Sequence, residues 1–395
     1  MSFRYRLYPS ATQTGTLTRH CADARFVWNL ALEQANCWRP GRAPSPGTTE
    51  SFRQLAEARQ GSWLGEGSSS VQQQALRDFD QALRNWWART HRHPRWRRKG
   101  VNEGFCIRDV RVEGLSSKWA QVFVPKVGWV RFRLTRPLGS HGMARVTKDR
   151  SGRWHVSFAA PQPAVPRHTT GSVVGVDLGV AHTISTSDGQ QETIPGLRLS
   201  EERRLVRLQR RLVRQQKGSK RRARTKHAIA VLYSRGADRR RDWAEKASTR
   251  LVVNHDLVLF EDLNINAMLR SARGTIDSPG RNVAAKARLN RRIAASAWAT
   301  LVRRTRQKAE ASSGCSLLRV DPRGTSRECS VCGYTAAGNR RERAVFCCLT
   351  CGHCEDADIN AAKNIRARGL RVPARGGRPE VGAPNEARTT PGAAA

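Results

Sequence analysis

Two closely spaced cysteine pairs carry the most specific chemistry in this 395-residue sequence. Cys329-x2-Cys332 is followed, after fifteen intervening residues, by Cys348-x2-Cys351. A CxxC pair folds as a tight knuckle that aims two thiolates at one point, and two knuckles supply the four ligands of a tetrahedral Zn²⁺ ion. With all four positions filled by protein, such a site is a structural clip and leaves no catalytic opening. Six of the ten cysteines lie between 329 and 354, so Cys347 and Cys354 compete as ligands. Gly352 follows Cys351 as Gly333 follows Cys332, which favours Cys348 and Cys351.

Three acids far apart in the chain point to a second chemistry. Asp177 closes the apolar run Val173-Val174-Gly175-Val176, and Glu261 closes Leu257-Val258-Leu259-Phe260. Asp358 lies in Asp356-Ala357-Asp358-Ile359-Asn360-Ala361-Ala362, where a helix begins just beyond the cysteines. Two carboxylates at the ends of buried strands and one at a helix start can converge on a point that none could build alone. Hard divalent cations take oxygen ligands. A carboxylate cluster can hold two Mg²⁺ ions ~3.5–4 Å apart, which activate a water and stabilise the leaving oxygen in phosphodiester hydrolysis.

The elements that must position these residues can be read from pattern. Phe3, Tyr5 and Leu7 alternate as a strand. Ser10 and Gln13 fit a capping box opening a helix through about residue 35. A Pro- and Gly-rich stretch over residues 38–50 interrupts it, and a second helix is expected over about 70–90, with Trp86 and Trp87 in its core. Residues 101–160 read as strands, with Asp149-Arg150-Ser151-Gly152 as a hairpin turn. A linker with three prolines spans 161–167, and a new domain starts near Gly171. There, strands at 172–179, 182–187 and 257–261 bracket charged helices at 201–216 and 220–251. A basic helix is expected at 285–311 and a short one at 360–370. The segment 371–395, rich in Pro, Gly, Ala and Arg, reads as a disordered tail.

Charge narrows the partner. The chain has 71 Lys+Arg against 32 Asp+Glu, a formal net charge of +39. A surface this basic attracts polyanions, and nucleic acid is the default. Only 11 of the basic residues are lysine, and arginine suits bidentate phosphate contact. The helix at 201–216 carries Arg203, Arg204, Arg207, Arg210, Arg211 and Arg214 around a stripe of Leu205, Leu208 and Leu212, and Arg221 and Arg222 follow. A solvated helix face normally mixes charge signs, whereas residues 201–228 hold twelve Lys+Arg and two Glu. These arginines are therefore assigned to phosphate contact. Arg95, Trp96, Arg97 and Arg98 form a second basic, aromatic run, in which Trp96 can stack on a base or pack under its own lobe. No segment approaches the ~20 apolar residues needed to cross a bilayer, and residues 1–6 contain no apolar signal core. A soluble, cytoplasmic, nucleoid-associated protein without a membrane partner is expected.

The motifs together resemble the TnpB (OrfB) family of transposon-encoded nucleases, and through it the miniature type V CRISPR effectors. They are Tyr5-Arg6-Leu7-Tyr8-Pro9, Arg25-Phe26-Val27-Trp28-Asn29, Gly175-Val176-Asp177-Leu178-Gly179, Phe260-Glu261-Asp262-Leu263, Val320-Asp321-Pro322-Arg323-Gly324-Thr325-Ser326, and Asp358-Ile359-Asn360 through Asn364-Ile365. The resemblance implies a Mg²⁺-dependent, RNA-guided DNA endonuclease of α/β and α+β multidomain architecture. Its implied parts are a wedge β-barrel (1–10 and 101–165) interrupted by a helical recognition lobe (11–100), and a RuvC-like core of ribonuclease-H fold (170–325 and 355–370). That core carries a helical insertion at 200–251 and a zinc ribbon at 326–354. Asp177, Glu261 and Asp358 match the family's catalytic acids. Asp358 is preferred to Asp356 because it stands two residues before the motif's Asn. The implied partners are a guide RNA from the transposon end and a double-stranded DNA target beside a short adjacent motif, with a separate transposase encoded nearby. Two other readings are an RNA-guided protein that binds DNA without cutting, for which the acids are unnecessary, and a transposase or its accessory protein.

Overall fold

The computed structural model describes residues 2–37, 47–138 and 142–371, which divide into two compact units, 2–161 and 162–371. Most of the Pro-rich stretch at 38–50 lies outside the described residues, as does the tail expected over 371–395 apart from Arg371.

The first unit begins with β1 (Ser2–Leu7), whose Phe3, Tyr5 and Leu7 face inward as the alternation requires. Helix α1 (Ala11–Asn36) starts at a complete capping box between Ser10 and Gln13. Then come α2 (Thr48–Gln60), a 3₁₀ turn at Trp63–Glu66, and α3 (Ser69–Trp87). The end of α3 corrects one expectation: Trp86 is 38% and Trp87 64% exposed, so neither belongs to the core.

Six more strands follow: β2 (Gly104–Arg108), β3 (Val112–Ser116), β4 (Trp119–Val124), β5 (Gly128–Arg133), β6 (Met143–Lys148) and β7 (Trp154–Ala159). They join β1 in a seven-stranded sheet of order β2-β6-β7-β1-β5-β4-β3, antiparallel throughout. Tyr5, Phe132 and Phe158 meet at its centre with ring centroids 5.4–5.9 Å apart. A closed barrel is expected from the resemblance; among the described residues the ladder ends at β2 and β3, which do not pair, so the barrel is not closed. The β6–β7 turn falls at Asp149–Gly152 as read, with Gly152 at φ 79°.

The second unit is built on a five-stranded sheet of order β10-β9-β8-β11-β12. Strands β8 (Val173–Asp177), β9 (Ile184–Thr186) and β10 (Gln191–Glu192) form its first part. Helices α4 (Leu199–Arg214) and α5 (Lys220–Asn254) intervene before β11 (Leu257–Glu261). After α6 (Ile265–Met268), the basic helix expected at 285–311 is in fact two: α7 (Val283–Ala295) and α8 (Trp298–Ala311). Ala297 takes a left-handed φ of 55° between them, which lets α8 bury Trp298 and Leu301. Strand β12 (Ser316–Val320) completes the sheet, parallel to β11, which is itself parallel to β8. The short hairpin β13 (Val345–Cys347) and β14 (Cys354–Asp356) leads into α9 (Ala357–Arg371).

Both faces of the parallel strands are covered, as their unbroken apolar runs demand. Val174, Val176, Val258 and Phe260 belong to the core that contains Trp243 and Leu251 of α5 and Leu301 of α8. On the other face, Leu259, Val320 and Ile365 form a smaller core under α9. Burying a side chain the size of Phe260 is worth about 1.5–3 kcal/mol, so the sheet is firmly clamped before any functional residue is considered.

Candidate active site and metal centre

Strand parity brings the first two acids together. Residues two apart in a strand share a face. Gly175 and Leu259 both lie against α9, since a Cβ on Gly175 would sit 2.1 Å from the Ala362 carbonyl oxygen, and Leu259 abuts Gly369. Asp177 and Glu261, each two residues on, therefore project to the same side. Val176 pairs with Phe260 in the β8–β11 register, which places the two carboxylates next to each other at the carboxyl ends of adjacent strands. Asp358 sits in the first turn of α9, on that same side of the sheet.

The electrostatics register this gathering. Burial pushes the Asp177 carboxyl well above its usual range, and the charges of Glu261 and Asp358 push it further; Arg340 opposes them. Glu261 is also raised by burial, partly offset by Thr325 and Arg368. Like charges brought near a buried carboxyl raise its pKa in this way, and such a cluster of oxygen donors suits hard divalent cations.

The surrounding side chains explain the motifs that frame the acids. The Thr325 hydroxyl donates to Glu261 Oε1 at 2.5 Å. Buried Asn360 and Asn364 of α9 donate to the carbonyls of Glu328 (2.8 and 2.7 Å), and Asn364 also donates to that of Thr325 (2.9 Å). Arg368 ion-pairs with Glu328. The helix that carries Asp358 is thereby fastened to the loop that orients Glu261. Asp356 does a different job: its Oδ1 accepts the N–H groups of Asp358 and Ile359 and so caps α9. Arg340, from the cysteine-bearing segment, places Nη2 3.0 Å from Asp358 Oδ1 while also donating to the carbonyl of Arg343 at 2.7 Å. Sequence reading gave Thr325 no role and missed Arg340, one basic residue among many with no pattern to single it out.

The cysteines sort themselves. Sγ of Cys329 lies 3.7 Å from that of Cys351, and Sγ of Cys332 lies 3.6 Å from that of Cys348. The four sulfurs all fall within 4.8 Å of one another, the one such group of His, Cys, Asp or Glu ligand atoms among the described residues. The three carboxylates are gathered without reaching that spacing. Four thiolates at this separation fit a tetrahedral Zn²⁺. Cys347 and Cys354 are bonded to each other as a disulfide and stand apart from the set.

The basic residues fall into two classes. Arg203, Arg207, Arg210, Arg211 and Arg214 on α4, and Arg221 on α5, are exposed, while Leu205, Leu208 and Leu212 form the sheltered stripe. Arg222 is used internally, donating to the carbonyls of Leu212 and Gln215 at the end of α4. In the first unit, Arg95 and Arg98 are exposed and Trp96 is 50% exposed. Arg97 lies 3.7 Å over the Trp28 ring, where burial lowers its pKa to about 10.

Comparison with known proteins adds an independent line. Residues 153–272 match the OrfB family model described as a probable transposase, residues 298–365 match a Cas12f1-like TNB domain, and residues 1–39 match a helix-turn-helix domain. Within 2–37 the fold is one strand and one long helix. The protein named "Putative RNA-guided DNA endonuclease InsQ" from Escherichia coli is 34% identical over 388 residues, covering 97% of this chain and 96% of its own length. The chain belongs to the TnpB (OrfB) family. A second TnpB relative, from Streptomyces pristinaespiralis, is also named for RNA-guided DNA endonuclease activity; it is 29% identical over 95% of this chain and 90% of its own length. Among solved structures, a Cas12f1–sgRNA–target DNA complex aligns with TM-score 0.51 at 13% identity, over 89% of this chain and 81% of that one. That likeness shows a mixed α/β fold shared by the TnpB chain and the effector. No helix of the described residues is long and apolar enough to cross a membrane.

Proposed function

We propose that this TnpB-family chain is a transposon-encoded, RNA-guided DNA endonuclease that hydrolyses phosphodiester bonds at Asp177, Glu261 and Asp358. The observation that carries the reading is the gathering of these three carboxylates on one side of a mixed sheet, at the ends of its parallel strands and the start of α9, from segments far apart in sequence. The order β10-β9-β8-β11-β12, with β9 antiparallel to β8 and the next two strands parallel, supports a RuvC-like core of ribonuclease-H type.

In this reading the three acids hold Mg²⁺. When bound, the ions activate water and neutralise the leaving oxygen. The chain's own residues prepare the site. Thr325 fixes the rotamer of Glu261, Asp356 caps the helix that presents Asp358, and Arg340 offsets part of the crowded negative charge. Cys329, Cys332, Cys348 and Cys351 hold Zn²⁺ as a structural clip beside the acids. The exposed arginines of α4 bind the phosphates of a guide RNA or its hybrid with the target strand. Base pairing then reads sequence, and the protein reads hybrid shape and a short flanking motif. The first unit serves as wedge domain and recognition lobe. The guide derives from the transposon end, and strand transfer belongs to a separate transposase.

The test is cleavage of a matched duplex by protein co-purified with RNA from the transposon end. Asp177→Ala, Glu261→Ala and Asp358→Ala should each lose about 10²–10³-fold or more in cutting, the scale of one lost transition-state contact, with RNA and DNA binding retained. Variants that still cut would remove the acids from catalysis. Wild-type protein that binds matched DNA and leaves it intact would assign the chain to binding alone.

A further inference from the structure

The two cysteines left outside the metal set are placed to do chemistry of their own. Cys347 and Cys354 face each other directly in the β13–β14 register, with Cα atoms 4.2 Å apart, and are joined as a disulfide. Their neighbours Cys348 and Cys351 belong to the four-thiol cluster. Cys329, Cys332, Cys348 and Cys351 all remain free thiols, the form that ligates zinc once deprotonated and that a reducing compartment preserves. In such a compartment a disulfide is rarely structural and is usually transient or redox-sensing. Cys354 is an exposed residue and Cys347 is half-buried, so the pair lies at the surface.

We infer that Cys347 and Cys354 form a redox-active dithiol, separate from the zinc ligands, that locks and releases the β13–β14 hairpin. The oxidant is a low-molecular-weight disulfide such as oxidised glutathione. The Cys354 thiolate attacks one sulfur of that disulfide, forming a mixed disulfide and releasing one thiolate. The Cys347 thiolate then attacks Cys354 Sγ, closing the intramolecular bond and releasing the second thiolate. The protein pair gives up two electrons and two protons, and one glutathione disulfide becomes two glutathione thiols. The hairpin is sensitive to this bond because it is short. Its strands are three residues each, and β14 runs directly into the first turn of α9. Phe346, next to Cys347 on β13, is fully buried with Cys329, Cys348 and Ala357, so the hairpin packs directly on the first turn of α9.

The experiment uses the full chain loaded with zinc, equilibrated in buffers of reduced or oxidised glutathione. Thiols are trapped in acid, mapped by mass spectrometry and compared with zinc content. Oxidised glutathione should link Cys347 to Cys354 while zinc stays at one per chain and the other four ribbon cysteines remain alkylatable after acid release. Reduced glutathione should open the same bond. Cys347→Ser should stop the reaction at a glutathione adduct on Cys354, and the double variant Cys347→Ser/Cys354→Ser should keep its zinc and form neither product. Hydrogen exchange over residues 345–358 should be at least about tenfold slower in the oxidised protein, the scale expected when a short loop is cross-linked. Oxidation that expels zinc, bonds involving Cys329, Cys332, Cys348 or Cys351, or a pair whose labelling ignores the buffer would each overturn the inference.

Discussion

Gly175 offers the sharpest test of how the acids are brought together. A Cβ at this position would lie 2.1 Å from the Ala362 carbonyl oxygen and 2.6 Å from the Arg366 amide nitrogen, where contacts under 3.0 Å essentially never occur. Both atoms are backbone of α9, so no side chain can rotate aside. Gly175→Ala must push α9 off the sheet by about 1 Å, and overpacking of this kind costs about 1–3 kcal/mol. At roughly 2–4 °C per kcal/mol for a unit of this size, Tm should fall by about 2–12 °C. Asp358 rides on the first turn of α9 while Asp177 stays on β8, so the displacement falls directly between two of the carboxylates proposed to be catalytic. A misplacement of ~1 Å costs on the order of 10²-fold in rate. Guide-directed cleavage, assayed at a temperature where the variant remains folded by circular dichroism, should drop by about that factor with target binding retained. Gly15→Ala, which adds a methyl to α1 where nothing lies within 4 Å, serves as control and should cost neither stability nor cutting. Wild-type cleavage by a folded Gly175→Ala protein with unchanged Tm would refute the geometric account.

Three further outcomes follow from the same structure. Because the folded protein raises the Asp177 pKa, its ionised form is destabilising; that penalty is absent below the unfolded value, grows as pH rises from the unfolded toward the folded value, and is fully present above it. Asp177→Asn should therefore raise the metal-free Tm at neutral pH, by about 2–4 °C per kcal/mol of relief, and the gain should vanish in acid; an equal gain at all pH values would exclude the charge mechanism. Replacing Arg207, Arg210 and Arg211 with Gln should reduce the slope of log K against log salt for nucleic-acid binding by about 2–3, near 0.7–0.9 per lost phosphate contact; an unchanged slope would return α4 to a merely solvated face. Cys329→Ser should weaken zinc binding by more than the ~10–100-fold that outer-shell changes cause, measured by competition with a chromophoric chelator, and retention of wild-type affinity would displace Cys329 from the ligand set.

The readable parts of this chain were those whose chemistry or periodicity is local. Ser10 and Gln13 announce α1, the runs before Asp177 and Glu261 announce β8 and β11, and the CxxC spacing announces the thiol cluster. Strand β12 escaped notice because Ser316-Leu317-Leu318-Arg319-Val320 is short and largely exposed; its strand character comes from lying beside β11. Helix α2 buries only Leu55, so it has no apolar stripe to read. The α7–α8 break rests on one left-handed alanine inside an otherwise helical pattern. Trp86 and Trp87 fit helical spacing, but they occupy the last turn of α3, where they remain 38% and 64% exposed. The role of Arg340 depends on a contact across 18 residues that no spacing rule encodes.

The order in which the acids leave the ribosome has a consequence for control. Asp177 and Glu261 emerge first, and their sheet can assemble around α5 and α8 while translation continues. The third carboxylate comes from α9, whose residues 357–371 must clear the exit tunnel and settle over Gly175 before the trio exists. A growing polypeptide halted earlier lacks the third of the proposed catalytic carboxylates. On the proposed assignment, cleavage is thus deferred until α9 has been made and has docked on the sheet.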